Sequence, residues 1–326
     1  MKFANQDYHS LIDPIIQRFL KSLAEQGGAP LYKLPVAQGR KIFTELQSGP
    51  IFKLPADTKD LTIPVGPNGS LNLTIYRPQG NSSVLPVIIY IHGAGWVFGN
   101  SITHDRLVRE ITNGAEAAVV FVNYTLAPEG QYPMAHEEGY AAAKWIAENG
   151  KSLNLDTDRM AIAGDSVGGL MATAIAMMAK DRGGPKFISQ VLLYPVTDAR
   201  FDTESYIKFE KGYFLEMEAM KWFWDNYVPN TSIREERYVS PLRSSVEQLK
   251  DMPPALIITN EIDVLRDEGE AYAHKLMLAG VPVVGVRYLG LTHDSAMLNA
   301  ITQAPEVRSM ISLACHTLKE TFSKKQ

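Results

Sequence analysis

Ser166 is the residue of this chain whose setting most clearly predicts chemistry. It lies at the centre of a Gly-x-Ser-x-Gly segment that runs from Gly164 to Gly168. A short apolar run at residues 160–163 precedes the segment, and strong helix formers at residues 170–179 follow it. A serine on a tight turn between a strand and a helix presents its hydroxyl as a nucleophile, and glycines suit such a crowded turn. The same pattern would also fit a glycine-rich turn with an ordinary serine N-cap.

A serine hydroxyl needs a base that takes its proton and a carboxylate that orients this base. Of the seven histidines, three follow Ser166 in the chain. His274 and His316 lie in segments with helical patterns, whereas His293 follows a predicted strand through a short turn. His293 is therefore the predicted base.

Two acids, Asp263 and Glu261, follow the predicted strand at residues 255–259 and could orient the base. Asp263 could instead cap the next helix, so the residue pattern leaves Glu261 open as the second candidate. Asp267 and Glu268 fall in the first turn of that helix, where acidic side chains favour the helix dipole without any catalytic role.

Residues 92–95, His-Gly-Ala-Gly, follow a predicted strand that ends at Ile91. A glycine-rich loop at this position allows backbone N–H groups to face a reaction centre and to stabilise a developing oxyanion. The residue after the nucleophile, Val167, is expected to supply another N–H.

The glycines of this loop have a competing interpretation. A strand followed by Gly93, Gly95 and Gly99 could hold a dinucleotide pyrophosphate, but the spacing departs from Gly-x-Gly-x-x-Gly. The next predicted strand ends in Asn123, where an acid would be needed to bind a ribose. No histidine or cysteine cluster has the spacing of metal ligands, so neither a metal nor a cofactor is predicted.

Length and composition indicate a globular protein with a large core. The 326 residues allow one α/β domain with insertions or two smaller domains. The net charge of −4 and the lack of Lys/Arg clusters argue against nucleic acid as a partner. No apolar run approaches the roughly 18 residues of a membrane span, residues 1–7 do not resemble a signal peptide, and Cys315 is the only cysteine. A cytoplasmic protein without stable membrane insertion is expected.

Apolar runs that alternate with helical patterns predict a mostly parallel sheet with helices on both faces. The predicted strands are residues 71–76, 86–91, 118–122, 160–163, 191–194, 255–258 and 283–288. Between Asp198 and Pro253 no strand pattern occurs, and aromatic residues crowd there instead. This stretch is predicted to form a helical insertion above the sheet.

Taken together, these segments resemble the bacterial hormone-sensitive-lipase-like (family IV) carboxylesterases, which have the α/β-hydrolase fold. The matching segments are residues 92–99, 126–129, 132–133, 164–169, 194–195 and 263–269, followed by His293. The resemblance implies an eight-stranded, mostly parallel sheet with a helical cap. It assigns residues 1–50 and 198–252 to the cap, and residues 51–197 and 253–326 to the catalytic domain.

The resemblance also implies roles for individual residues. The family's catalytic acid is the first Asp of an Asp-x-Leu-Arg-Asp segment, which selects Asp263 over Glu261. The implied oxyanion donors are the backbone amides of Gly93, Ala94 and Val167. The residues expected to contact substrate are Trp96, Phe98, Tyr194 and Phe214.

Three departures from the family pattern carry information. Ala94 replaces a usual glycine and is expected to narrow the oxyanion site. Asn123 and Thr125 replace Asp and Arg, which removes a buried ion pair. Asp294 replaces the glycine that often follows the histidine, and it either places a carboxylate near the base or caps the helix after it.

The combined interpretation is a serine carboxylesterase that hydrolyses short- to medium-chain acyl esters through an acyl-enzyme on Ser166. The same residues could instead serve an amidase, a peptidase or an acyltransferase, and a catalytically silent ligand-binding protein is a further alternative. A small-molecule ester is the expected partner, and the family adds a possible homodimer.

Overall fold

The computed structural model describes residues 8–324, and its strands form one eight-stranded sheet. The sheet order is β1-β2-β4-β3-β5-β6-β7-β8; β2 runs antiparallel to β1 and β4, and the other neighbouring pairs are parallel. The strands are β1 (Ala56–Ile63), β2 (Leu71–Pro78), β3 (Leu85–Ile91), β4 (Ala118–Asn123), β5 (Leu155–Asp165), β6 (Ser189–Leu193), β7 (Ala255–Ile262) and β8 (Val283–Thr292). This sheet confirms the predicted α/β fold class.

Helices cover both faces of the sheet and fill the two predicted cap segments. The α-helices are α1 (Pro14–Gln26), α2 (Val36–Leu46), α3 (Ser101–Gly114), α4 (Met134–Asn149), α5 (Val167–Asp181), α6 (Glu204–Lys208), α7 (Met217–Tyr227), α8 (Val246–Leu249), α9 (Arg266–Leu278) and α10 (Pro305–Ser323). Short 3-10 helices occupy Tyr8–Leu11, Leu31–Lys33, Gly150–Leu153, Thr231–Ile233, Pro241–Arg243 and Asn299–Ile301.

The central strands are buried along most of their length. Every residue of β3 is buried, as expected for a parallel strand with helices on both of its faces. β5 is longer than its apolar run because polar residues 156–159 precede that run, and Leu155 pairs with Leu85 of β3. β8 continues past its predicted end to Thr292, after an irregularity in its pairing with β7.

Parallel strands place their carboxyl ends at one edge of the sheet. β3, β5, β7 and β8 lie in one parallel run, so the residues that follow them meet at this edge. The sheet therefore brings the glycine-rich loop, Ser166, Asp263 and His293 together, although they are far apart in the chain.

The N-terminal segment packs against the insertion, as a joint cap requires. The ring of Phe19 on α1 lies 5.9 Å from that of Phe214, and the Tyr32 hydroxyl donates to Glu216 Oε2 at 3.3 Å. The last part of the insertion returns to the sheet layer, where the Leu242 N–H donates to the Thr197 carbonyl. The domain boundaries stay a prediction, and residues 1–7 of the predicted cap lie outside the described residues.

Among residues 8–324, no helix combines the length and apolar character that a membrane span needs. The cytoplasmic location stays a prediction from sequence, and residues 1–7, on which it partly rests, lie outside the described part of the chain.

Candidate active site

Ser166 occupies the turn between β5 and α5 in a strained conformation. Its φ is 55° and its ψ is −123°, and its side chain makes no capping hydrogen bond to α5. A Cβ on Gly164 would overlap the Gly168 carbonyl group, and a Cβ on Gly168 would overlap the Ile91 carbonyl oxygen. The glycines are therefore required by close backbone approach, and the N-cap interpretation of Ser166 is wrong.

His293 joins the serine to a carboxylate. The Nε2 atom of His293 lies 2.8 Å from Ser166 Oγ, and its Nδ1 atom lies 2.7 Å from Asp263 Oδ2. All three side chains are buried. Burial alone lowers the pKa of His293, but the carboxylates of Asp263 and Asp294 outweigh burial and raise the pKa to about 9. The Nε2 atom lies within hydrogen-bonding distance of the serine hydroxyl, as a general base must, and it can accept the serine proton when the ring is neutral.

The two candidate acids have separate roles. Asp263 uses Oδ2 for His293, while its Oδ1 accepts the Leu265 N–H at 3.0 Å. Asp263 thus orients His293 and stabilises the turn before α9, but it is not the N-cap of that helix, which is Leu265. Glu261 Oε2 instead accepts the Gly290 N–H at 2.9 Å, and it makes no contact with His293.

The acids in the first turn of α9 hold the beginning of the insertion. Asp267 Oδ2 accepts the Ser205 N–H at 2.7 Å, and Glu268 Oε1 accepts the Thr197 N–H at 2.7 Å. Burial raises the pKa of Glu268 well above its ordinary value. The sequence predicted no catalytic role for Asp267 and Glu268. It also did not predict these long-range contacts.

The glycine-rich loop is fixed by a buried carboxylate next to the nucleophile. Asp165 Oδ1 accepts the Gly93 N–H at 3.1 Å and the Tyr90 hydroxyl at 2.7 Å, and Asp165 Oδ2 lies 3.3 Å from His104 Nε2. Burial raises the pKa of Asp165, but the neighbouring His104 and these hydrogen bonds keep the pKa below its ordinary value. Sequence reasoning missed the roles of Asp165, Tyr90 and His104, because these residues meet only in the folded chain; Asp165 occupies a variable position of the Gly-x-Ser-x-Gly segment.

This hydrogen bond argues against Gly93 as an oxyanion donor, because its N–H is already committed to Asp165. Within the described residues, the N–H groups of Ala94 and Gly95 have no acceptor. Val167 is the first residue of α5, where a backbone N–H has no acceptor inside the helix. The backbone N–H groups that remain free near Ser166 are thus those of Ala94, Gly95 and Val167.

The predicted substrate-contacting aromatics differ in their surroundings. Tyr194 lies edge-on to His293, with 5.1 Å between ring centroids. Trp96 stacks on Tyr227 of α7 at 4.8 Å and is 1% exposed. Phe98 is also buried and packs against Phe223 of α7. Trp96 and Phe98 therefore hold the glycine-rich loop against the insertion.

Phe214, the fourth predicted aromatic, is half-buried in the loop between α6 and α7, and it has a positive φ of 79°. Its contact with Phe19 places it between the two predicted cap segments. A role in binding substrate stays a prediction for Phe214 and for the other three aromatics.

The departure at Thr125 is compensated by hydrogen bonds. Glu138 is buried, and it accepts the Thr125 N–H at 2.6 Å and the Thr125 hydroxyl at 2.7 Å. The carboxylate is thus satisfied without an arginine partner. No group of three or more His, Cys, Asp or Glu residues within 8–324 is arranged to hold a metal ion.

Comparison with known proteins identifies the family to which the fold belongs. Residues 88–297 match a family described by the α/β hydrolase fold. A thermostable esterase from Pseudomonas putida ECU1011, whose crystal structure is known, is 44% identical; the match covers 99% of this chain and 100% of that one, with a TM-score of 0.95.

Two further relatives have names that state an activity. The ethyl acetate hydrolase of Pseudomonas putida is 34% identical over 283 residues, which cover 84% of this chain and 87% of that protein. The esterase LipI of Mycobacterium tuberculosis is 36% identical over 284 residues, which cover 85% of each. The chain belongs to this family of α/β-hydrolase-fold ester hydrolases, the hormone-sensitive-lipase-like group that its motifs predicted.

Proposed function

We propose that the chain hydrolyses short- to medium-chain acyl esters through an acyl-enzyme on Ser166. The observation that carries this proposal is the buried hydrogen-bonded chain from Ser166 through His293 to Asp263, with distances of 2.8 and 2.7 Å. This arrangement has the geometry of a serine nucleophile, its base and the carboxylate that orients the base.

In the acylation step, Ser166 Oγ attacks the ester carbonyl while His293 Nε2 takes the hydroxyl proton. Asp263 holds the Nδ1–H tautomer and stabilises the imidazolium that forms. The negative charge on the former carbonyl oxygen is stabilised by the N–H groups of Ala94, Gly95 and Val167.

The tetrahedral intermediate collapses when His293 Nε2 gives its proton to the leaving alcohol oxygen. The C–O bond to the alcohol breaks and the acyl group stays on Ser166. A water molecule then attacks the acyl carbon with His293 as its base, and the acid product leaves with the serine hydroxyl restored.

The surroundings of Ser166 support a limit on acyl size. Ser166 is only 3% exposed, so little room surrounds its hydroxyl. Phe223 of α7 packs so closely on Gly95 that a Cβ on the glycine would overlap the phenyl ring. This ring stands beside a proposed oxyanion donor, where a long acyl chain would need space.

Ser166→Ala should reduce hydrolysis of p-nitrophenyl acetate to background, because no other hydroxyl replaces the nucleophile. The substitution is small, so the circular dichroism spectrum and the melting temperature should stay close to those of the parent. Retained turnover in the folded variant would show that the reaction proceeds elsewhere.

Asp263→Asn should lower kcat by about 10⁴-fold, since an amide favours the wrong imidazole tautomer. Glu261→Gln is the matched control, because Glu261 lies two residues away and contacts Gly290 instead of His293. We expect its kcat to stay within about threefold of the parent, because glutamine keeps a side-chain oxygen that can accept the Gly290 N–H and His293 is untouched. Equal losses in the two variants would contradict the assignment of Asp263.

Rates on p-nitrophenyl esters should fall as the acyl chain lengthens, and a rate that rises beyond the octanoyl ester would count against a small acyl site. Phe223→Ala should raise the rate on longer esters relative to the acetate. We expect a gain of roughly fourfold for each methylene that gains contact, which corresponds to about 0.8 kcal/mol per buried CH₂. Lys221→Ala on the same helix is the control and should keep the parental chain-length profile.

The edge strand β8 supports the possible homodimer. Val284 and Leu289 are 55% and 65% exposed on this strand, and exposed apolar edges favour pairing with another strand. We expect a dimer by light scattering, and Val284→Lys should make it monomeric. Leu278→Lys, which changes an equally apolar exposed side chain on α9, should remain dimeric. A monomeric parent protein would refute this contact.

A further inference from the structure

Asp294 brings a second carboxylate to the catalytic imidazole. Its side chain is buried, and its Oδ1 atom lies 3.3 Å from His293 Nε2, the nitrogen that is hydrogen-bonded to Ser166. Asp263 occupies the opposite ring nitrogen. Each nitrogen of His293 therefore faces a carboxylate, whereas the mechanism derived above uses only one of them.

The position of Asp294 is unfavourable in two independent ways. Its Oδ1 atom is buried and has no hydrogen-bond partner, because the approach to His293 lacks hydrogen-bond geometry. An unsatisfied buried carboxylate oxygen destabilises the folded state. Its backbone also has a φ of 59°, which few residues other than glycine adopt. Unfavourable features of this kind concentrate at functional sites.

Helix capping does not account for the side chain. The residues that follow Asp294 form turns, and the N–H groups of Met297 and Leu298 donate to the backbone carbonyl of Asp294. A backbone carbonyl is present whatever residue stands here, so the turn does not need a carboxylate. The Oδ1 atom instead lies 3.3 Å from His293 Nε2.

We propose that Asp294 is a second carboxylate partner of His293, whose charge stabilises the imidazolium from the Nε2 side. This inference rests on the proposed function. The proton leaves Ser166 Oγ, forms the Nε2–H bond, and later moves from Nε2 to the leaving alcohol oxygen. Asp294 takes no proton in this sequence; its charge acts on the N–H while the proton is on the ring.

Several other charged or titratable groups surround this pair, and they set the background against which Asp294 acts. They are Tyr90 on β3, Asp165 on β5, His104 and Arg106 on α3, Tyr194 after β6, and Asp263 after β7. Burial raises the pKa of Asp294 to about 6, so the carboxylate is charged mainly above that pH. A charged Asp294 favours the protonated imidazole and raises the pKa of His293.

Removal of the Asp294 charge should change the pH dependence of kcat/KM. His293 must be unprotonated to accept the serine proton, so kcat/KM rises with pH through the pKa of His293. Removal of the Asp294 charge removes one cause of the raised pKa. The rise in kcat/KM should then occur at lower pH, and the fraction of the maximal rate retained in acid should increase.

The test compares the pH profiles of kcat/KM for p-nitrophenyl acetate in the parent, Asp294→Asn and Asp294→Gly. Both variants should shift the midpoint of the acid limb down by about one pH unit, the lower end of the effect of a nearby opposite charge. Asp251→Asn is the matched control, because Asp251 is exposed and has the same φ of 59°. It should leave the midpoint unchanged.

A measurement that needs neither substrate nor turnover separates this proposal from the proposed function. In the Ser166→Ala background, NMR titration of the His293 ring should give a lower pKa when Asp294→Asn or Asp294→Gly is added. An unchanged His293 titration in both variants would overturn the role of Asp294, even if the parent is an active esterase. Absence of esterase activity in the parent would refute the proposed function and leave the NMR comparison decisive for the carboxylate. Because Asp294→Gly also removes the strained φ, a shift common to both variants arises from the charge.

Discussion

The geometry of the active site depends on the buried carboxylate of Asp165. This residue precedes the nucleophile, yet its side chain accepts hydrogen bonds from Gly93 on the glycine-rich loop and from Tyr90 on β3. A buried charge is tolerated only when such donors surround it. The same requirement that keeps Asp165 satisfied therefore holds the glycine-rich loop beside Ser166. Loss of either partner would leave a buried polar group unsatisfied. It would disturb the glycine-rich loop and the turn that carries Ser166 together.

Backbone strain is concentrated around this carboxylate. Of the nine residues other than glycine that have a positive φ in the described chain, five surround the reaction centre: Ala94, Trp96, Ser166, Tyr194 and Asp294. Such conformations persist only where the surrounding packing over-determines them. Here the packing is supplied by fully buried strands and by aromatic contacts between the loop and α7. The core stabilises a set of backbone conformations that the site residues would not adopt alone.

Much of this arrangement is predictable because the chemistry lies at strand ends. The residue pattern predicted seven of the eight strands found among the described residues but not β1, and it predicted that Ser166, Asp263 and His293 each follow a strand. The sequence did not reveal the full length of β5, whose polar residues 156–159 conceal its pairing with β3. It also did not reveal which amide of the loop is free, because that depends on the hydrogen bond between Gly93 and Asp165.

The N-terminal segment helps to hold the loop that carries His293. Gln47 is buried, and its side chain donates to the Met297 carbonyl at 2.8 Å and accepts the Asn299 N–H at 3.0 Å. Arg106 on α3 donates to the carbonyls of Ala296 and Met297 on the same loop. The loop that carries His293 is thus held jointly by the segment before β1 and by the helix after β3. The packing of the N-terminal segment and the placement of the loop that carries His293 therefore depend on the same hydrogen bonds of Gln47.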